Sequence, residues 1–149
     1  MTSATTPKTI RLAGMGCSKE GIAGGAITPG MLLAYTALAT IVAHSQAGDN
    51  AMPYFALEYD LTGRGIDDDY AADDQVLFEA GYPGAEYYAL IADGETIAFD
   101  DPLTSNGDGT LREAAAGEHI VAYARGAVSP SGADGRLRVE VANGFVFTS

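Results

Sequence analysis

Residues 136–141 read Arg-Leu-Arg-Val-Glu-Val, and polar and apolar side chains alternate strictly along them. A period of two residues is that of a β-strand, whose successive side chains point to opposite faces of the sheet. The stretch therefore predicts a half-buried strand with Leu137, Val139 and Val141 turned inward.

Turn residues flank further short strands on either side of this one. Asn106-Gly107-Asp108-Gly109 separates Leu103-Thr104-Ser105 from Thr110-Leu111-Arg112, and its residues tolerate positive φ, so we expect a hairpin there. The pair Asn143-Gly144 predicts a second hairpin, between residues 139–141 and 145–147.

Short runs rich in Val, Ile, Tyr and Phe recur through the rest of the chain, and Gly, Pro or Asp bounds most of them. They cover residues 53–59, 75–79, 86–92, 110–113 and 119–128. Residues 31–36 and 40–44 are compatible with two strands or with one helix, because Ala and Leu are good helix formers. Eight or more short strands with few helical windows predict an all-β barrel or sandwich.

The N-terminal residues have a different composition. Gly14, Gly16, Gly21, Gly24 and Gly25 fall within a dozen residues, which disfavours a helix. We therefore expect an extended N-terminal arm over residues 1–25 and a β domain over residues 26–149.

Within that arm, Lys8-Thr9-Ile10-Arg11-Leu12 alternates polar and apolar residues. Such a segment can add itself as a strand to an exposed sheet edge of another chain, with Ile10 and Leu12 in apolar pockets. Residues 8–12 are thus the predicted binding segment.

The chain is strongly acidic, with 20 acids against 8 bases and a net charge of −12. The excess lies in residues 58–101, where thirteen acids accompany Arg64, whereas residues 1–30 sum to +2. Nucleic acids and anionic membranes are bound largely through Lys and Arg, so we expect neither as a partner.

No charged residue occurs from Gly21 to Gly48. The apolar part of this stretch, residues 31–43, is thirteen residues long, where about 20 are needed to cross a bilayer. Burial in a protein core is the preferred interpretation.

The residue types that catalysis needs are sparse. His44 and His119 show no metal-ligand spacing, and the single Cys17 lies in the glycine-rich arm. We expect no catalytic residue, no cofactor and no metal site, and hence no enzyme. A hydrolase using Asp60, Asp100 or Asp101 would need two carboxylates that converge in a cleft.

A calcium-dependent or carbohydrate-binding β module is the alternative hypothesis. Asp67-Asp68-Asp69, followed by Asp73 and Asp74, and the turn at residues 106–110 offer oxygen ligands. Neither reproduces the ligand order of a calcium loop, so we favour solvated acidic loops.

A series of short motifs runs through residues 20–142. They are Gly21-Ile22-Ala23-Gly24, Ile27-Thr28-Pro29-Gly30, Phe55-Ala56-Leu57-Glu58, residues 63–67, Tyr70 with Asp74, Asp93-Gly94-Glu95-Thr96-Ile97, residues 101–111, Val121-Ala122-Tyr123-Ala124 and Arg138-Val139-Glu140-Val141. Their order and spacing resemble those of the capsid decoration, or cement, proteins of tailed bacteriophages.

The resemblance implies a β-tulip-like domain that forms homotrimers at three-fold and quasi-three-fold positions on the outer surface of an icosahedral head. Its partner would be the major capsid protein, and it would stabilise the expanded shell. On this hypothesis Ile10 and Leu12 anchor the arm in the capsid and Lys8 and Arg11 pair with capsid acids. Tyr54, Tyr82 and Tyr87 are candidates for the trimer contact, because aromatic residues are enriched at interfaces.

Overall fold

The structure, a computed structural model, describes the backbone of residues 6–146 and the side chains of residues 6–143. The part described is almost entirely β. Its strands are β1 (Arg11–Ala13), β2 (Gly16–Ala23), β3 (Leu33–Ala37), β4 (Thr40–Ala43), β5 (Tyr54–Ala56), β6 (Gln75–Gly81), β7 (Glu86–Ile91), β8 (Pro102–Ser105), β9 (Leu111–Glu113), β10 (His119–Ala124) and β11 (Gly135–Val146), with one 3-10 turn at Asp60–Thr62.

Five strands close into a barrel in the order β7-β11-β10-β8-β9. The ring is closed by a parallel pairing of β7 with β9 at Ile91 and Leu111. The start of β7 also pairs with β1, where Arg11 lies opposite Tyr87. The predicted all-β class and small barrel are thus confirmed.

The remaining strands form a second sheet in the order β3-β4-β2-β6-β5. Residues 31–44, for which a helix and two strands were both compatible with the sequence, form the antiparallel pair β3 and β4. The turn between these strands contains Ala39 with a φ of 68°. The sequence pattern alone cannot distinguish one helix from two strands here. The pairing of β4 with β2 shows that the segment forms strands.

Two groups of buried residues hold the molecule together, and we call them the barrel core and the second core. The barrel core comprises Ile10, Leu32, Phe55, Ala85, Tyr87, Ala89, Ile91, Ile97, Leu103, Leu111, Val121, Ala122, Ala124, Leu137, Val139 and Val141. The second core comprises Ala23, Ile27, Leu33, Ile41, Ala56, Tyr70, Val76 and Phe78. Phe55 of β5 stacks on Tyr87 of β7 with ring centroids 5.0 Å apart, which joins the second sheet to the barrel.

Two predictions about the C-terminal half are confirmed. Leu137, Val139 and Val141 are buried. Strands β8 and β9 form the predicted hairpin across residues 106–109, with Ser105 opposite Leu111.

The hairpin predicted at Asn143-Gly144 is wrong, because β11 runs through it as one strand. Opposite this point the pairing shifts: Ala122 lies opposite Val141, and Ile120 lies opposite Phe145. The extra residues on β11 make a bulge rather than a turn, since β10 continues to pair with the strand on both sides of it.

Much of the expected N-terminal arm is folded into the two sheets. Residues 11–13 pair with β7, and residues 16–23 pair with β6 over seven residues in register. The boundary expected between residues 25 and 26 therefore falls inside the folded domain, and residues 1–5 of the proposed arm lie outside the described residues.

Four of the five glycines that suggested flexibility are closely packed, whereas a Cβ on Gly25 would meet nothing within 4 Å. A Cβ on Gly16 would lie 2.7 Å from the Tyr87 hydroxyl oxygen, and one on Gly81 would lie 2.6 Å from a carbon of the same ring. Glycine is needed here because two sheets approach closely, and not because the chain is loose. Within residues 6–146, no helix has the length and apolar character that crossing a bilayer requires.

Candidate functional site

The predicted binding segment, residues 8–12, lies along the chain's own barrel. Ile10 is fully buried in the barrel core, and its carbonyl oxygen accepts a hydrogen bond of 2.7 Å from the Tyr88 amide. Leu12 is half-buried, whereas Lys8, Thr9 and Arg11 are exposed. Of the two apolar anchors expected to enter a partner, Ile10 is therefore occupied within the subunit, and the polar side chains of the segment remain exposed.

Arg11 has a partner inside the molecule. Its guanidinium lies 3.4 Å from Glu79, whose carboxylate is 1% exposed, and the Tyr87 hydroxyl donates a 2.6 Å hydrogen bond to the same carboxylate. Burial raises the pKa of Tyr87 far above its ordinary value, and the bond to Glu79 adds to that rise. The three residues fix β1, β6 and β7 to one another.

The sequence offers no signal for Glu79. A charged residue at alternate positions of a strand ordinarily faces solvent, and Glu79 follows that pattern in Gln75-Val76-Leu77-Phe78-Glu79. Its burial results from the barrel packing over this face of β6, which depends on contacts distant in the chain.

The acidic loop of residues 67–74 uses carboxylates to hold its own turns. Asp68 accepts a 2.8 Å hydrogen bond from the Gly65 amide, and Asp74 accepts one of 2.8 Å from the Ala71 amide. Among the described residues, no group of three or more His, Cys, Asp or Glu side chains is arranged to hold a metal ion.

Arg136 ties this loop to the barrel. It donates 2.8 Å hydrogen bonds to the carbonyl oxygens of Pro29 and Ile66, and its guanidinium lies 5.8 Å from the Tyr88 ring centroid. Burial lowers the pKa of Arg136, an effect that Asp67 opposes. The Arg136 side chain therefore has a structural role, which is to hold the loop against the barrel.

The turn at residues 106–110 is also held by its own carboxylate. Asp108 accepts hydrogen bonds from the Thr110 amide and hydroxyl and from the Asn106 side chain. Partial burial opposes ionisation of Asp108, but these bonds outweigh it and keep the pKa below its ordinary value. The carboxylate is used inside the turn.

The other residues considered for chemistry lie on different elements, apart from the neighbours Asp100 and Asp101. His44 is buried and both ring nitrogens are bonded, Nδ1 with Ser105 Oγ at 2.7 Å and Nε2 with the Asn50 carbonyl at 3.0 Å, as expected for a structural histidine. Cys17 is exposed on β2. Asp60 begins the 3-10 turn, and Asp100 pairs with Arg125 at 2.6 Å. Asp101 accepts a 2.8 Å bond from the Ala98 amide.

The three tyrosines considered for a trimer contact differ in exposure. Tyr87 is buried in the barrel core, so its assignment to an interface is wrong for this fold. Tyr54 is half-buried and Tyr82 is exposed. Tyr54 contacts Tyr35 and Phe78 edge to face, with ring centroids 5.5 Å apart in each pair.

Comparison with known proteins identifies a similar fold. No protein-family model and no curated protein matches the sequence. Among solved structures, the N base of the head fiber gp8.5 of bacteriophage phi29 matches with a TM-score of 0.58 and 18% identity, covering 89% of this chain and 98% of that one. At this identity the match shows a shared fold across almost the whole of both chains.

Proposed function

We propose that this protein is a structural component of a tailed-phage virion: a decoration protein that binds the outer surface of the icosahedral head as a homotrimer at three-fold and quasi-three-fold positions and stabilises the expanded shell. The fold match to a phage head fiber base supports this most strongly, since it spans 98% of that chain. The role is mechanical and not enzymatic.

The distribution of charge supports an outward position. A chain with a net charge of −12 is repelled by packaged DNA, whereas a place on the outer surface has no such cost. The motif resemblance over residues 20–142 points to the same class of protein, on grounds independent of the fold match.

The contact with the major capsid protein would use the exposed side chains of Lys8, Thr9 and Arg11. Lys8 and Thr9 precede β1 and Arg11 begins it, and all three are exposed beside Ile10, which already lies in the barrel core. This revises the strand-donation hypothesis: the segment would bind as part of a folded surface. Three copies in a trimer would each contribute one weak contact, so avidity would supply the strength.

Cryo-EM of heads from the phage that encodes this chain, with and without its gene, tests the proposal. We expect density for three copies at the three-fold and quasi-three-fold positions, absent without the gene and restored by adding purified protein. Heads that look the same in both preparations would contradict it.

A charge reversal tests the contact itself. We expect Lys8→Glu to reduce occupancy on expanded heads, while Arg64→Glu, an equal charge change at another exposed position, leaves occupancy unchanged. Equal occupancy for both variants would show that residues 8–12 do not form the capsid contact. The decoration role would then depend on the cryo-EM comparison of heads with and without the gene.

A further inference from the structure

Among the uncharged stretches of this acidic chain are four short segments that are distant in sequence. They are residues 12–18 (Leu-Ala-Gly-Met-Gly-Cys-Ser), 50–57 (Asn-Ala-Met-Pro-Tyr-Phe-Ala-Leu), 80–85 (Ala-Gly-Tyr-Pro-Gly-Ala) and 141–143 (Val-Ala-Asn).

The fold brings these segments together on one side of the molecule. The Gly81 amide bonds to the Pro53 carbonyl at 3.0 Å, and the Tyr82 amide bonds to the Met15 carbonyl at 3.1 Å. The Gly84 amide bonds to Val141 at 3.0 Å, which adds the fourth segment. We call the surface formed by these four segments the neutral face.

Large apolar side chains stand out from the neutral face. Met15, Met52 and Tyr82 are 70%, 58% and 53% exposed. Met and Tyr are residue types enriched in protein interfaces over the rest of a protein surface. Glu79, the acid adjoining residue 80 in β6, is turned inward to Arg11 and Tyr87 and adds no charge to this face.

Met52 stands between two grooves. One has a volume of about 290 Å³ and is lined by residues that include Leu33, Tyr35 and Tyr54. The other has a volume of about 180 Å³ and is lined in part by Ile120 and Ala142. The neutral face therefore carries a projecting side chain, Met52, next to grooves, and these are complementary shapes for packing against a second copy.

We propose that the neutral face is where copies of this chain meet one another. Two molecules that each carry −12 repel if acidic surfaces are brought together, and the neutral face allows contact without placing like charges opposite each other. Between two copies the same uncharged surface lies on each side of the contact, so neither copy brings an acid to it. The inference rests on the proposed function and names the surface through which its homotrimer forms.

Light scattering coupled to size exclusion, over a series of protein concentrations, tests this without any capsid. We expect the unaltered chain to be oligomeric, and Met52→Glu and Tyr82→Glu each to raise its dissociation constant by about tenfold or more, because each places an acid in the contact. The matched control is Phe99→Glu, the same charge change at a 66% exposed residue on the loop between β7 and β8. Circular dichroism of all variants shows whether they are folded.

Salt provides a second readout. Because the contact is uncharged and the repulsion is between whole molecules, screening should strengthen association of the unaltered chain as salt rises. An interface made of ion pairs would weaken instead and would overturn the inference.

The remaining outcomes each decide one hypothesis. A chain that stays monomeric at all concentrations, or an oligomer that Met52→Glu and Tyr82→Glu leave intact while folded, overturns the neutral face as the self-contact. Oligomers that depend on this face, combined with heads that carry no bound copies, would keep the inference and reject the decoration role.

Discussion

The barrel core and the second core are built differently. The barrel core has sixteen described residues, mostly aliphatic, and most of them lie on the strands of the closed ring. Eight form the second core, where the half-buried Tyr54 and the 45% exposed Tyr35 cover one side of Phe78. A ring of strands cannot relax around a cavity as an edge of aromatic rings can, so equal substitutions should cost more in the barrel.

The largest difference is expected from a matched pair of fully buried isoleucines. Ile10→Ala in the barrel core should lower the free energy of unfolding by about 2–5 kcal/mol, and Ile41→Ala in the second core should fall near the lower limit of that range. Denaturant unfolding measures both, with the exposed Thr9→Ala as control. Equal losses would refute the contrast between the two cores.

Deleting residues 1–14 removes Ile10 and Arg11 together and should destabilise more than Ile10→Ala.

Two buried tyrosines give the next comparison. Tyr87 donates to the carboxylate of Glu79, whereas Tyr70 donates to the Leu57 carbonyl, both at 2.6 Å. Hydrogen bonds to charged groups contribute about 1.5–3 kcal/mol and neutral ones about 0.5–1.5, so Tyr87→Phe should cost more than Tyr70→Phe. Combining Tyr87→Phe with Glu79→Gln should give a non-additive loss in a double-mutant cycle; simple addition would show that the two residues are uncoupled.

Alkaline pH separates the same two tyrosines. Burial is the main cause that raises the pKa of Tyr70 from 10.0 to about 12. Burial raises the pKa of Tyr87 further. The protonated phenols therefore stabilise the fold fully below pH 10, and that stability is lost as pH rises towards 12, by about 1.4 kcal/mol per pH unit for each tyrosine. Urea midpoints measured across this range check the slope, and the ultraviolet absorbance of tyrosinate shows the order of ionisation. Early ionisation of Tyr87 would contradict its place in the closed barrel.

A smaller effect is expected at the open side of the second core. Tyr35 contacts Tyr54 and Phe78 with ring centroids 5.5 and 5.9 Å apart. Each such contact contributes about 0.5–1.5 kcal/mol, so Tyr35→Ala should lower the thermal midpoint modestly. Leu38→Ala, at a 99% exposed position in the neighbouring turn, should leave it unchanged. A loss as large as that of Ile10→Ala would show that this side is as tightly packed as the barrel.

The smallest effect is expected from removing calcium. The carboxylates of Asp68 and Asp74 are engaged with backbone amides of their own loop. We therefore expect the same thermal midpoint with a chelator and with added calcium. A clear rise with calcium would favour the alternative of a calcium-dependent module and would make the acidic loop a third stabilising region.

Local chemistry made part of this fold predictable. Residues 136–141 reveal their strand through alternation, and the hairpin at residues 106–109 needs positive φ, which Gly107 and Gly109 adopt at 90° and 89°. Both signals lie within a few residues of the structure that they determine.

The N-terminal segment could not be predicted in the same way. A glycine is equally compatible with a loose chain and with two backbones in close approach, and only the position of Tyr87 shows that Gly16 and Gly81 are of the second kind. The neutral face depends in the same way on long-range pairing. Each of its four segments can be recognised in the sequence, but the sequence does not show that the fold brings them together.

The position of β7 has a consequence for synthesis on the ribosome. This strand pairs with β1 near one terminus and with β11 near the other, and β9 closes the ring at its far end. A nascent chain can bring β1 and β7 together early, but its barrel stays open until residues 135–146 have emerged from the exit tunnel. Exposed apolar strands in such intermediates are prone to aggregation. Slow translation of the last third of the message should therefore reduce the yield of soluble protein more than slow translation of the first.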